Sequence, residues 1–402
     1  LLNSASIGNE QGSISAKGAV TLGTGGVYNL NGRLNSGDTL SLSAGQVSNT
    51  AGSIGSVKAL IASITGLDQQ GGKFFSNTAL SLDLNNGLLN NNGGLINSPG
   101  SLLLGNLNGV SNAYGEISSS QAFTLAARNL DNGNGRILGS QALTLVIGQA
   151  LSNIQGTVGA ASLALYSGSL DNREGTLSSR GDFELTSNGL LDNRQQGLIS
   201  AAGNLILNSG DLHNQRGSLL GVSGVAITAA ALDNSNAGLI NSRNGLYVTA
   251  NSLTTGVAGE VSAKGVMSLS LGALLLGSGR LVGDQTITLN LNNGNLDNNG
   301  GLVVAKGALN LLRVGTFSNL AGELSSQQNV SLDANYLDNS NGRLISSQIL
   351  TLNVAGLTNQ NGLLSGWQGL SLFGGNLDNR NLGTLSSRSG ALDVRLSGIL
   401  LN

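Results

Sequence analysis

The chain has 402 residues, 40% of them apolar but only 3% aromatic, with 62 glycines, one proline and no cysteine. Charged residues make up 10% and balance to a formal net charge of -2. This balance excludes a basic nucleic-acid-binding face, the aliphatic content excludes a disordered chain, and the missing cysteines exclude disulfides and thiolate metal sites.

A recurring phrase organises the chain from its first residues onward. Early copies are loose. Asn9, Asn49, Gln69 and Asn112 stand at equivalent places, with Tyr28 to Leu34 supplying the copy between Asn9 and Asn49, and Leu89-Asn90 the copy between Gln69 and Asn112. The phrase then sharpens into Leu130-Asp131-Asn132, Leu170-Asp171-Asn172, Leu191-Asp192-Asn193 and Leu232-Asp233-Asn234, with Asn153 and Asn214 between them. After Asn234 the closing residue becomes Thr255 and is then lost in Leu274-Leu275-Leu276, so residues 255–290 are expected to form degenerate coils, bent or bulged. The phrase resumes at Leu296-Asp297-Asn298 and runs through Asn319, Leu337-Asp338-Asn339, Asn359 and Leu377-Asp378-Asn379. Asn9 to Asn379 spans 18 periods of about 20.6 residues.

Within one period the apolar spacing is that of strands. Gly175-Thr176-Leu177-Ser178-Ser179 alternates, Phe183-Glu184-Leu185-Thr186 alternates again, and Leu190-Leu191-Asp192-Asn193 closes the unit. A period of two marks half-buried strands. Leu177, Phe183, Leu185 and Leu191 are expected inside, as are Leu198, Leu205, Leu207 and Leu212 of the next copy. Ala201 and Val222 are expected to fill smaller interior places. Three short strands and their corners use about 20 residues, the size of one coil of an all-β parallel β-solenoid. Helices are excluded, because the apolar residues do not recur at three- and four-residue intervals and Gly or Asn interrupts every candidate segment. A leucine-rich horseshoe fits less well, since Leu-x-x-Leu-x-Leu is not the dominant pattern. Asn and Gly are read as corner residues, with Asn side chains one coil apart stacking into a hydrogen-bonded ladder. The Asp before the closing Asn gives way to Ser152, His213, Ser318 and Thr358, so substituting Asp192 is expected to be mild.

The Leu-Asp-Asn…Gly-x-Leu-x-Ser…Leu-x-Leu phrase resembles the repeats of filamentous haemagglutinins and the shaft repeats of contact-dependent growth inhibition effector proteins. That resemblance covers essentially the full chain. It implies a right-handed parallel β-helix, with residues 1–402 a single shaft segment of a much longer exoprotein. It further implies a secreted or cell-surface filament of a Gram-negative bacterium, exported by an outer-membrane two-partner secretion transporter. Such a filament extends an adhesive or receptor-binding tip, and in some members a toxin, towards a target-cell receptor or surface glycan.

The alternative reading is a β-helical polysaccharide lyase or hydrolase. A glycosidase needs two carboxyl groups converging on one bond, and Asp38, Asp68, Asp83 and Asp182 form no cluster in the sequence. Glu174 and Arg194 approach one another only as a surface pair across a corner, and the single histidine, His213, occupies an exposed, variable slot. Gly277-Ser278-Gly279-Arg280-Leu281-Val282-Gly283 lacks the spacing of a nucleotide-binding loop. Phe74, Phe75, Phe183, Phe317 and Phe373 are expected in the interior, whereas Tyr166, Tyr247, Tyr336 and Trp367 are candidates for outward sugar contacts. The calcium-solenoid nonapeptide is not repeated. No catalytic, cofactor-binding or metal-ligating residue is assigned, no cofactor is expected, and no apolar span reaches the length of a transmembrane helix.

Overall fold

A computed structural model describes residues 1–402, which form strands, turns and bends but no helix. Two compact units divide the chain, Leu1–Ala202 and Gly203–Asn402. Each is a parallel β-solenoid. No helix is long and apolar enough to cross a membrane.

In the first unit every coil contributes one four-residue strand, from Ser13–Ala16 to Leu198–Ala201, and these strands pair in parallel one coil apart, as Arg136↔Thr157 and Thr176↔Leu198 show. Facing them is a second parallel sheet of longer strands, among them Leu40–Ser48, Phe123–Asp131 and Ala142–Ser152. The expected second and third strands of a coil therefore run together in most coils. They separate where Asn188-Gly189 interrupts Phe183–Ser187 and Leu191–Asp192. The second unit repeats the plan, with short strands from Ser218–Gly221 to Thr384–Ser387 and longer ones such as Gly245–Thr254 and Ile349–Thr358.

Alternation sets the interior. Leu34, Ile54, Phe74, Ile96, Ile117, Ile137, Val158, Leu177 and Ile199 stack at one position of the short strands, all fully buried, and Leu219, Ile240, Val261, Leu281, Val303, Leu324, Leu344 and Leu364 do so in the second unit. Phe183, Leu185 and Leu191 are buried as expected, with Leu205, Leu207 and Leu212. Leu198 is not: Ile199 pairs with Leu177 and takes the inward place. The corner before it holds two left-handed residues, Gln195 and Gln196, where the preceding corner holds only Glu174, and the extra residue shifts the phase. Ala201 is buried, but Val222 is 44% exposed because it stands in the bend after the strand Ser218–Gly221.

The closing asparagine is an interior residue. Asn29, Asn112, Asn132, Asn153, Asn172 and Asn193 are fully buried. Each Nδ2 donates to the Oδ1 one coil on: Asn112 to Asn132, Asn132 to Asn153, Asn153 to Asn172 and Asn172 to Asn193, all at 2.7 Å. Asn132 Nδ2 also donates to the Gly135 carbonyl at 3.2 Å. Two residues after the closing Asn the chain enters the left-handed region, as at Asn134 (φ 56), and reverses. Gly135 is required next, since a Cβ there would overlap the Asn112 carbonyl oxygen. The copy between Gln69 and Asn112 closes at Asn91 rather than Asn90: Asn91 is fully buried, accepts from Gln69 at 3.0 Å and donates to Asn112 at 2.6 Å.

Residues 255–290 keep parallel pairing, Glu260↔Arg280 and Met267↔Ile287, but the strand Met267–Leu275 shifts register between Ser270↔Asn290 and Ala273↔Asn295, where two extra residues of the next coil bulge at Asn292 and Asn293. A second irregularity is in the ladder. Thr255 and Leu276 occupy the asparagine place, both fully buried. Thr255 Oγ1 donates to the Leu276 carbonyl at 3.0 Å, but the Leu276 side chain has no donor, and Asn298 Oδ1 is left buried without a partner. The ladder restarts from Asn298, which donates to Asn319 at 2.6 Å.

Candidate functional site

The groups able to do chemistry lie on the outer surface, beginning with the row one residue before the ladder. Parallel pairing puts Asp131, Ser152 and Asp171 in successive coils, and in the second unit Asp297, Ser318, Asp338, Thr358 and Asp378. Neighbouring coils lie about 4.8 Å apart, where two carboxylates repel strongly. Alternation of Asp with Ser or Thr removes that repulsion. Each Asp accepts the backbone N–H two residues on, such as Gly133 on Asp131 at 2.9 Å and Asn299 on Asp297 at 2.9 Å, which prepares the turn.

Asp171 and Asp192 break the alternation, and two arginines compensate. Arg173 grips Asp171 through Nε and Nη2 at 3.0 and 2.7 Å, Arg194 grips Asp192 at 2.9 and 2.6 Å, and Arg173 also stands 3.7 Å from Asp192. Asp192 is only 5% exposed. Burial pushes its carboxyl up, but the Arg194 hydrogen bonds and the charges of Arg194 and Arg173 outweigh burial and hold it below the ordinary range. It is thus a paired structural anion, and the mild substitution expected from its variable slot does not follow. Asp378 is likewise held well below the carboxylate range, first by the Arg380 hydrogen bonds. An acid catalyst needs a raised carboxyl pKa, and both depart in the opposite direction.

The other residues singled out in the sequence remain dispersed. Asp38 pairs with Lys58 at 3.1 Å, Asp68 accepts from Asn90 at 2.9 Å, and Asp83 accepts from the Asn85 backbone and from Asn106. Glu174 takes a hydrogen bond from Gln155 at 2.8 Å, while Arg194 turns to Asp192 instead of Glu174. His213 is half-buried rather than exposed, and its Nδ1 has no partner. Gly277 (φ 50) is a corner glycine ahead of the strand Arg280–Gly283. Phe74, Phe183 and Phe317 fill the interior, but Phe75 is half-buried over Gly55 and Phe373 lies half-buried under Arg395, because adjacent strand residues face opposite ways. Tyr166, Tyr247, Tyr336 and Trp367 are outward, at 36%, 52%, 40% and 47% exposure. Tyr336 bonds Thr358 at 2.8 Å, and Arg388 stacks 4.3 Å from the Trp367 ring.

Shallow grooves of about 410–470 Å³ interrupt the outer faces in several places. One, of about 420 Å³, lies on the short strands of the first unit around Ser118, Gly159, Ser178 and Arg180. A second, of about 410 Å³, lies on the long strands of the second unit around Ile206, Ala226, Gly245 and Tyr247. Neither has a carboxylate in its lining.

A repeated unit is what comparison with known families also returns. The haemagglutinin repeat model matches residues 124–209, 185–270, 248–314, 280–361 and 350–402, more than half of the chain. The chain belongs to the haemagglutinin repeat family. No curated protein and no solved structure matches it. Haemagglutinin repeats indicate a structural adhesin shaft on an extracellular or surface-exposed protein, and the paired, scattered charges of this haemagglutinin-repeat chain fit a structural part better than an enzyme. Sequence reading placed the loss of the closing residue at Thr255 and Leu274-Leu275-Leu276, where the ladder breaks, but missed the Asp192 ion cluster, which the spaced pairs Asp171-Arg173 and Asp192-Arg194 signal.

Proposed function

We propose that residues 1–402 act as a single shaft segment of a surface exoprotein of a Gram-negative bacterium, holding an adhesive or receptor-binding tip, and in a toxin-bearing parent a toxin, away from the cell. On this reading the parent leaves the cell through an outer-membrane two-partner secretion transporter, and the tip meets a receptor or glycan on a neighbouring cell. The observation that carries the reading is the repeated, self-bonding coil: the same buried amide closes coil after coil within each unit, as from Asn112 to Asn193 and from Asn298 to Asn379. A fold that repeats one unit through nearest-neighbour contacts is suited to setting length.

The test places the chain between an outer-membrane anchor and a binding tip, with whole coils added or removed. Binding to a ligand tethered at graded distances from the cell should lose range as coils are removed and gain it as coils are added. Binding indifferent to coil number would contradict a spacing role. Against the lyase or hydrolase alternative stands the pairing of Asp192 and Asp378 with arginines. Reproducible turnover of a polysaccharide, lost on replacing one carboxylate while the fold survives, would favour that alternative.

A further inference from the structure

The groove at Tyr247 differs from the rest of the outer surface in how it is built. Ile206, Ala226 and Tyr247 pair across three successive coils, all pointing outward, so a small residue stands between two large ones. Ile206 is 45% exposed and Tyr247 52%. The two side chains are two strand spacings apart, about 10 Å, with Ala226 as the floor. Two residues earlier in the same strands, Gly224 and Gly245 lack side chains altogether, which opens the floor at Gly224 and makes room at Gly245 for the Tyr247 ring. A Cβ on Gly245 would come within 3.0 Å of Tyr247 Cε2. The phenol ring therefore reclines towards Gly245, and Tyr247 stays half-exposed at the groove.

The rim carries amides. Asn244, Gln285 and Asn204 line it together with Ser223, and no Lys, Arg, Asp or Glu is among the lining residues. An exposed aromatic face, an aliphatic wall and uncharged amides recognise a neutral ligand that has both an apolar face and hydroxyl groups. Salts and acidic polymers gain nothing here, because no charge answers theirs. A purely apolar ligand would leave the amides unpaired. We infer that this groove binds a neutral pyranose of a surface glycan, its C–H face stacked on Tyr247 and its hydroxyls on the Asn244 and Gln285 amides. This inference rests on the adhesin reading and gives the shaft a lateral contact of its own, separate from any tip. Single-site binding is weak, and several shafts on one surface would raise it by avidity.

The experiment is saturation-transfer NMR on the 402-residue chain with lactose and chitotetraose as neutral probes, a heparin tetrasaccharide as a charged probe and N-acetyl-Leu-Phe-amide as a peptide probe. Saturation of the pyranose ring protons of a neutral sugar is expected. Tyr247→Ala, which removes the stacking face, and Ala226→Leu, which fills the floor, should each weaken that binding at least about tenfold. Tyr247→Phe keeps the ring and should retain it, as should Tyr166→Ala on the other unit. Unchanged melting of Ala226→Leu, whose side chain points outward, separates lost binding from lost fold. No saturation from either neutral sugar, preference for heparin or the peptide, or equal binding by Tyr247→Ala would each overturn the assignment. The shaft reading does not depend on these outcomes, since it is tested by coil number and tethered distance.

Discussion

Replacing Asn132 by Ala should destabilise the chain far more than replacing its neighbour one coil on in the outer row, Ser152. The Ala variant takes from Asn112 Nδ2 its shortest acceptor, at 2.7 Å, leaving it the Gly115 and Arg136 carbonyls, removes the bonds of Asn132 Nδ2 itself, and leaves Asn153 Oδ1 without its donor at 2.7 Å, all fully buried. Unsatisfied buried groups cost about 1–3 kcal/mol each, so a loss of about 2–5 kcal/mol is expected in denaturant unfolding, against under about 1 kcal/mol for Ser152→Ala. Equal losses would contradict the ladder. Asp192→Asn should cost about 1–3 kcal/mol, the range of hydrogen bonds to charged groups, because Arg194 and Arg173 both face it. Its effect has a pH sign. Asp192 is held below the ordinary carboxylate range, so its contribution is full above that range and is lost as pH falls through its folded value. The parent chain should therefore lose stability on acidification more steeply than Asp192→Asn, measured as unfolding midpoints from pH 6 down to about pH 2. Parallel acid profiles would contradict the paired-anion role. The sequence showed Asp192 only as a member of a variable slot. Its burial depends on Arg194, two residues on, and also on Arg173, which stacking brings beside it from the preceding coil.

At the scale of the coil, the weak place is the ladder break. Thr255 and Leu276 interrupt a run of amides, and Asn298 Oδ1 is orphaned. Backbone amides from Gly256 to Asn298 should exchange faster than those flanking Asn319 and Asn339, where the ladder is intact. Leu276→Asn supplies the missing donor and should slow exchange there. Overall stability should shift by under about 2 kcal/mol, since a buried Leu is lost as hydrogen bonds are gained. Faster local exchange in the variant would contradict this. Strand phase was legible because alternation reports it directly: Leu177, Phe183, Leu185 and Leu191 all lie inside as the pattern requires. It failed at Leu198, where one extra corner residue, Gln196, moves the inward place to Ile199. A corner's length is set by its left-handed residues, and Gln gives no sign of adopting that conformation. Asn was legible as a corner residue, but its burial was not, because a buried amide is stable only when the copies above and below complete its bonds.

At the scale of the whole chain, period and family were legible, since a phrase recurring about every 20 residues leaves little choice but stacked coils. The grooves were not, because each arises from residues a coil apart: Ile206, Ala226 and Tyr247 are 20 and 21 positions from one another in sequence. If the chain is a spacer made of interchangeable coils, its coils should be removable one at a time. Deleting Ser340–Asn359 removes one period and joins Asn339 to Gln360, leaving each remaining strand in phase with its new neighbour. Deleting only Ser340–Ile349 removes half a coil and puts the following strands out of register. Thermal unfolding of the two deletions beside the parent chain is the most direct measurement. The whole-coil deletion should unfold cooperatively within a few degrees of the parent, and the half-coil deletion should lose cooperative unfolding. A whole-coil deletion as disruptive as the half-coil one would contradict the modular coil on which the shaft function rests.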